Sequence, residues 1–368
     1  MHNLLRWPFA LALTGLVPVI PTRAQATLGA RVAQARDGVV HVQVESRPGV
    51  CGDGRSLVGY RHAMFARDFS TIGRWSDQRC VAGPMRVSVS VSGGQVTQIQ
   101  TQVGGAWPAT SAPVTNLGDI APREASAYFF SLVPRLESAS AKERLLLPAV
   151  LADDAIVIAP LLAIARDAAR SEQTRRQAVQ WLGLLGDSSV VPALVAFANE
   201  ASNEERGDKP GKKGVASTAV AALSYLEDNA GIPALIQLAR HAPLGTRRNA
   251  VFWLGQNGDT RGLRVLRTVV EDTTEDTSVR KNAIFSLGTS DAVPTSDLVA
   301  VYQRVSTADL REHTIFVLSQ RQDESSLIAL MRIAREDSDT RMRGKALFWL
   351  AQRHDPRVTK LIGDLVLK

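Results

Sequence analysis

One nine-residue block occurs five times in this chain at near-regular spacing, and a recurrence of that kind leaves few folds open. It reads Arg175-Arg176-Gln177-Ala178-Val179-Gln180-Trp181-Leu182-Gly183 at its first clear copy and Arg247-Arg248-Asn249-Ala250-Val251-Phe252-Trp253-Leu254-Gly255 at the next. Further copies begin at Arg280, Arg311 and Arg343, and a weaker one runs from Ala216 to Leu223. With the small residue as anchor (Ala178, Ala219, Ala250, Ala283, Thr314, Ala346), the steps are 41, 31, 33, 31 and 32 residues. The triplets Pro160-Leu161-Leu162 and Pro192-Ala193-Leu194, 32 apart, add a divergent first copy near residues 144–169. About seven repeats fit. Periods in this range signal one supersecondary unit per repeat. Anchor, plus one and plus four share one face of a helix. A turn follows with Asp at plus nine (Asp187, Asp228, Asp259, Asp323, Asp355), suited to an N-cap. A second helix then opens on Pro192 or Pro233, proline being at home in a first turn. Such a pair cannot bury its apolar face alone, so neighbours must stack into a continuous core.

The Arg-x-x-Ala-apolar-x-x-Leu-Gly helix, the turn Asp and the Pro-x-Leu helix resemble HEAT repeats of the short, phycobilisome-lyase-like type over about residues 140–368. The resemblance implies an all-α fold, a right-handed α-solenoid of about seven HEAT-like helix pairs. Residues 122–368 are assigned to it, with a helix over Arg123–Leu136 as cap and a polar insert loop at 201–214. Arrays of this type serve many functions, so fold alone assigns none. The resemblance also places the Arg-bearing helix on the concave surface.

Two columns are expected to be scaffolding. The Arg at minus three (Arg175, Arg247, Arg280, Arg311, Arg343) is predicted to pair with a turn Asp of a neighbouring repeat. The Phe at plus two (Phe252, Phe285, Phe316, Phe348) is predicted to pack against the next repeat. Minus one and plus three are read as facing solvent, opposite the core. They hold Gln177 and Trp181, Asn249 and Trp253, Asn282 and Ser286, His313 and Val317, Lys345 and Trp349; one turn on come Tyr225, Gln256, Gln320 and Gln352. Amides can hydrogen-bond an extended backbone, and exposed Trp supplies contact area at low entropy cost. The stripe resembles the Asn and Trp ladders of armadillo proteins with the order reversed. The partner-binding candidates are therefore Gln177, Trp181, Asn249, Trp253, Gln256, Asn282, His313, Gln320, Lys345, Trp349 and Gln352. The alternative is that the N-terminal region or loops cover some of the tryptophans.

Upstream the period changes to two. Val40, Val42 and Val44 alternate with polar residues, as do Met85 to Val91 and the stretch after Gly93-Gly94. A three-residue loop would set Val89 opposite Ile99 and Val91 opposite Thr97, keeping the apolar face intact. Residues 27–104 are read as a small antiparallel β domain, 105–121 as a Gly/Pro/Ser/Thr-rich linker. The chain has 2 cysteines, Cys51 and Cys80, read as a disulfide. A Cys2His2 metal site with His41 and His62 is the weighed alternative, but the spacing matches no zinc pattern. Residues 1–26 read as a signal peptide: Arg6, an apolar stretch from Trp7 to Ile20 broken by prolines, and Ala24-Gln25-Ala26 at the cleavage site. The expected location is exported, periplasmic or secreted.

The formal charge of +7 falls to +5 once Arg6 and Arg23 leave with the signal, and the remaining charges are interleaved. That balance argues against nucleic acid as partner. HEAT-like di-iron hydroxylases carry four His-Glu pairs; here one reversed pair, Glu312-His313, is present. No Gly-rich phosphate loop occurs, and no cofactor or metal is assigned. The expected function is a non-catalytic scaffold or adaptor binding a peptide or protein on the concave face. The rivals are a metal-dependent or lyase-type enzyme and a purely structural envelope spacer.

Overall fold

The computed structural model describes residues 26–55, 58–60, 63–66, 69–72, 80–137, 145–200 and 214–366. The segment read as a signal peptide, apart from Ala26, the polar insert apart from Gly214, and His62 lie outside them.

The N-terminal region starts with a short helix, α1 (Leu28–Ala33), whose N-cap Thr27 accepts from the Ala30 amide. A four-stranded sheet follows in the order β8-β7-β1-β9, from β1 (Gly38–Val44), β7 (Met85–Ser92), β8 (Gln95–Val103) and β9 (Val114–Ile120). The alternation read from sequence holds on β7, where Met85, Val87, Val89 and Val91 are buried and the residues between them are not. Val89 pairs with Ile99 as expected. The loop itself is the two-residue turn Gly93-Gly94, with φ +57° and +71°, so Val91 faces Val96 and not Thr97. A bulge between Ser90 and Val91 absorbs Thr97 and restores the apolar register. A tight glycine turn and a bulge thus do together what a longer loop would have done.

The second sheet, β5-β4-β3-β2-β6, is antiparallel throughout: β2 (Val50–Gly52), β3 (Val58–Tyr60), β4 (Ala63–Ala66), β5 (Phe69–Ile72) and β6 (Val81–Ala82). Cys51 and Cys80 are joined by a disulfide beside the β2–β6 pair. His41 takes no part with them. It is buried on β1, stacked on Trp107 with ring centroids 3.9 Å apart, and burial lowers its pKa.

Two expectations about this region need correction. The first sheet is mixed, because β1 and β9 run parallel. Residues 105–121 are also not a free linker, since β9 occupies Val114–Ile120 and runs directly into α2 (Pro122–Leu136). Helix α2 buries Phe129, Leu132 and Val133 and packs on α1, β8 and α3 (Leu147–Val150). It bridges sheet and array, and a single apolar core runs through both. Arg47 fastens the junction by donating to the carbonyls of Val150 (2.8 Å) and Ala155 (2.6 Å). Glu137, just past α2, pairs with Arg170 at 3.1 Å.

The array begins with the short pair α3 and α4 (Ile158–Arg166). Six fuller pairs follow: α5 (Glu172–Leu185) with α6 (Val191–Ala198), α7 (Val215–Tyr225) with α8 (Ile232–His241), and α9 (Leu244–Asn257) with α10 (Thr260–Glu271). The remainder are α11 (Thr277–Thr289) with α12 (Thr295–Arg304), α13 (Ala308–Gln320) with α14 (Glu324–Glu336), and α15 (Thr340–Leu350) with α16 (Pro356–Val366). Asp259 and Asp323 cap second helices as predicted, and Asp187 caps a one-turn 3-10 segment before α6. Asp228 does not cap; it sits at φ +53° inside the turn. Successive first helices touch more extensively than successive second helices do. A stack tighter on one side curves towards that side, so the first helices line the inside of the curve. No helix among the described residues is long and apolar enough to cross a membrane.

Candidate functional site

Helical geometry decides which side chains of the first helices face outward. At about 100° per residue, the buried anchor, plus one and plus four centre the core so that minus one, plus two and plus six point away. Plus three then lies about 70° off the outward direction, on the flank towards the preceding repeat. The structure follows this wheel, and the expectation that plus three faces solvent is wrong. Ala222, Ser286 and Val317 at plus three are all buried.

The cause is a small-residue contact between consecutive first helices. A methyl on Gly183 would stand 2.7 Å from Cα of Ala222, and one on Gly255 would stand 2.4 Å from Cβ of Ser286. The block's Gly at plus five is where the next repeat's plus-three side chain rests. Where plus five is Ser instead, at Ser224 and Ser319, the following plus-three residue is Trp253 or Trp349. Both tryptophans are part-buried against the core. Trp253 meets Tyr225 edge-on at 5.4 Å, and Trp349 meets Phe316 at 5.3 Å. Burial pushes the Tyr225 hydroxyl's pKa up. Trp181 departs furthest from the expectation: only 3% exposed, its ring lies 6.3 Å from Tyr60 of β3. The alternative of cover by the β region holds at that position.

Minus one is half-exposed, and in three successive repeats it ties to minus two of the repeat before. Asn282 donates to the Arg248 carbonyl at 3.4 Å. His313 Nε2 lies 3.0 Å from the Lys281 carbonyl, and Lys345 Nζ lies 2.5 Å from Glu312. The His313 pKa is lowered, mainly by burial. Asn249 and Gln177 are half-buried at the equivalent place. Gln256, Gln320 and Gln352 at plus six are exposed, and Gln256 reaches Thr289 Oγ1 at 3.3 Å. Among the described residues no group of three or more His, Cys, Asp or Glu is placed to hold a metal ion.

Beside these exposed glutamines stands the column expected to be scaffolding. Phe252, Phe285 and Phe316 are half-exposed, and Phe348 in the last pair is 59% exposed. Phe316 packs on Trp349 of the next repeat as predicted, and Phe348 meets Trp349 of its own helix edge-on at 5.2 Å. Phe252 likewise meets the tryptophan of its own helix, and the column presents four aromatic side chains in consecutive repeats. Beside its end, the turns after α13 and α15 form a polar cleft of about 480 Å³, with Gln320, Glu324, Trp349 and His354 in its lining.

The Arg column is structural, though not through turn Asp residues. Arg175, Arg247 and Arg280 donate to the carbonyls of Ala165 (2.7 Å), Ala242 (3.0 Å) and Val270 (2.8 Å). Arg343 donates to the Asp337 carbonyl at 2.7 Å. Each of these oxygens ends the preceding second helix, where unpaired carbonyls and the negative pole of the helix dipole favour a cation. The carboxylate partners, where present, lie after the repeat's own second helix: Glu200, Glu275 and Asp337. Sequence reasoning missed a second set of donors at plus seven. Asn257 reaches the Ser224 carbonyl, Arg321 those of Leu287 and Gly288, and Arg353 those of Leu318 and Ser319. The signal was available as Arg at the same offset in two adjacent repeats.

A family model described as PBS lyase HEAT-like repeat matches residues 174–200 and 246–272, the α5–α6 and α9–α10 pairs. Comparison with curated proteins finds no match. Among solved structures, the complex of CpcE and CpcF of phycocyanin lyase from Nostoc sp. is 18% identical, covering 53% of this chain and 76% of that one, with a TM-score of 0.32. Human deoxyhypusine hydroxylase in complex with glycerol is 17% identical over 66% of this chain and 90% of that one, TM-score 0.27. A designed armadillo repeat protein in complex with the peptide (KR)4 is 14% identical over 56% of this chain and 95% of that one, TM-score 0.27. With the matched segments falling on two of its helix pairs and the same pair recurring around them, the chain is a HEAT-repeat protein with an N-terminal β region.

Proposed function

We propose that this protein is a binding scaffold that holds a peptide or protein segment along the inner face of its first-helix layer. The observation that carries the reading is the Phe252, Phe285, Phe316 and Phe348 column, four aromatic side chains left partly in water at one position of consecutive repeats. Aromatic side chains only partly covered on a curved inner surface are what a partner's apolar groups would bury. The exposed Gln256, Gln320 and Gln352 supply hydrogen bonds beside them. What recurs along the face is aromatic and amide, groups that bind, rather than paired titratable groups that transfer protons. Of the binding residues predicted from the repeat pattern, the plus-six glutamines keep their role; Trp253 and Trp349 serve as walls behind the phenylalanines, and Trp181 drops out.

Selection of a displayed random-peptide library on the full chain and on a Phe285→Ala/Phe316→Ala variant tests this. The wild type should enrich peptides that the variant does not bind, at unchanged helical circular dichroism. Enrichment of the same peptides by both proteins would remove the face from consideration.

We further propose that the protein acts outside the cytoplasm. The Cys51–Cys80 disulfide supports this, because such bonds persist in oxidising compartments. The mature N-terminus measured by intact-mass spectrometry should be Thr27; an intact Met1 in protein from the native host would contradict it.

A further inference from the structure

We infer that the cleft between the turns after α13 and α15 binds a short neutral saccharide. The cleft lies beside the aromatic face, and its assignment goes beyond the peptide reading without depending on it.

At about 480 Å³ the cleft falls within the range of small-ligand pockets, roughly 300–1,000 Å³. Such pockets are usually walled by apolar side chains. Here Leu327 and Trp349 are the apolar members, and every other lining residue is polar. An apolar occupant would strip water from these groups and return nothing, so the ligand must itself hydrogen-bond widely.

The charged side chains of the lining are Asp323, Glu324, Arg353 and Asp355, and each already has partners. Glu324 and Asp355 share Arg357, which stands just outside the lining, at 2.5 and 2.8 Å. Asp323 accepts from the Thr295 hydroxyl at 2.9 Å and from the Ser326 amide at 2.8 Å. Arg353 is engaged at the end of α13, donating to the carbonyls of Leu318 and Ser319 at 3.3 and 3.2 Å. A cationic ligand would have to displace Arg357 or share its carboxylates, and an anionic one would face three acids. A neutral ligand does neither. Each carboxylate keeps lone pairs beyond those pairings, so it can still accept from a donor that brings no charge.

The remaining groups are uncommitted. Gln322, Gln352 and His354 are exposed, and their side chains have no hydrogen-bond partner among the described residues. Gln320 reaches Ser319 Oγ at 3.2 Å. An amide offers a carbonyl and an NH2 together, and a neutral imidazole one donor and one acceptor. Both complement a hydroxyl, which donates and accepts at once. A sugar ring carries several hydroxyls around its rim and a patch of C–H on its face. The hydroxyls suit the amides and the spare carboxylate lone pairs; the C–H patch suits an aromatic wall such as Trp349. A peptide backbone brings one carbonyl acceptor for each N–H donor, which is a poorer match beside three groups that only accept.

Titration calorimetry on the full chain tests this with maltotetraose, cellotetraose and chitotetraose, against the neutral peptide acetyl-(Gly-Ser)2-amide and the polycation spermidine. At least one tetrasaccharide should saturate with a dissociation constant of about 1 mM or tighter, and the peptide and spermidine should not. Gln322→Ala/His354→Ala removes one uncommitted group from each turn. It should leave the helical circular dichroism unchanged and weaken that saccharide about tenfold. Failure of all three tetrasaccharides to saturate overturns the inference. Saccharide binding that the double variant leaves intact places the sugar elsewhere and overturns it too. Saturable binding of the peptide or spermidine that the variant abolishes gives the cleft to another class of ligand, with the same result. None of these outcomes touches the phenylalanine column, which the library selection judges separately.

Discussion

Replacing Gly183 by Ala is expected to destabilise the array, although Ala is the better helix former. Gly183 lies inside α5, where exchange for Ala would ordinarily add about 1 kcal/mol of stability. Here the added Cβ would meet Cα and Cβ of Ala222 at 2.7 Å and its carbonyl oxygen at 2.8 Å. These are backbone atoms and a stub methyl, so no rotamer change relieves them; α5 and α7 must separate. Overpacking of that kind costs about 1–3 kcal/mol, and the rigid obstacle puts this site near the top of the range, leaving a net loss of about 2 kcal/mol. Gly344 provides the control within the same protein. It lies in α15, and its Cβ would meet nothing within 4 Å, so Gly344→Ala should stabilise by about 0.5–1 kcal/mol. Urea unfolding followed by circular dichroism gives both signs in one series. Equal shifts for the two substitutions would mean that the first-helix contact is looser than the structure has it.

That contact also marks where the sequence was legible and where it was not. The two helices of the unit and most of its caps follow from local patterns within one copy of the block, and the repeat follows from comparing copies. The disulfide and the Val89–Ile99 pairing were equally accessible, the first from compartment chemistry and the second from the apolar alternation. What failed was orientation. Treating minus one and plus three as the outward pair overlooked that the flank at plus three is set by the preceding repeat, about 40 residues away for Gly183 and Ala222. The information was in the chain as a pairing of columns: Gly183 with Ala222, Gly255 with Ser286, Gly288 with Val317, but Ser224 with Trp253 and Ser319 with Trp349. Reading single columns hides it. Strand β9 was hidden for a different reason. Val114-Thr115-Asn116-Leu117-Gly118-Asp119-Ile120 does not alternate, and its place comes from parallel pairing with β1, a partner more than 70 residues upstream.

Loss of the Asp337 carboxylate should cost more than loss of any single exposed charge in the protein. Asp337 ends α14 with a side chain only 7% exposed. It accepts from Arg311 Nη2 at 2.5 Å and from the Tyr302 hydroxyl at 2.6 Å, joining α12, α13 and α14 in one network. Arg311 also lies over the Tyr302 ring, 4.7 Å from its centroid. Asp337→Ala leaves a largely buried guanidinium and a buried hydroxyl without their acceptor. Breaking one side of a buried pair costs about 3–5 kcal/mol, and the residual exposure of Arg311 places the expected loss at the lower end, about 3 kcal/mol. The triple variant Asp337→Ala/Arg311→Met/Tyr302→Phe should recover most of it, because the penalty comes from stranded partners rather than from a missing attraction. The same carboxylate predicts a pH dependence. Burial pushes its pKa up, but hydrogen bonds from Tyr302, the Asp339 amide and Arg311, with the Arg311 charge, outweigh burial and hold it below the usual 3.8. A carboxyl with a lower pKa folded than unfolded contributes fully above the unfolded value and loses that contribution as pH falls through the folded one. The stability difference between wild type and Asp337→Asn should therefore be constant from pH 7 to about pH 5 and shrink below about pH 4. A difference that persists unchanged down to about pH 2.5 would show that Asp337 acts through packing alone.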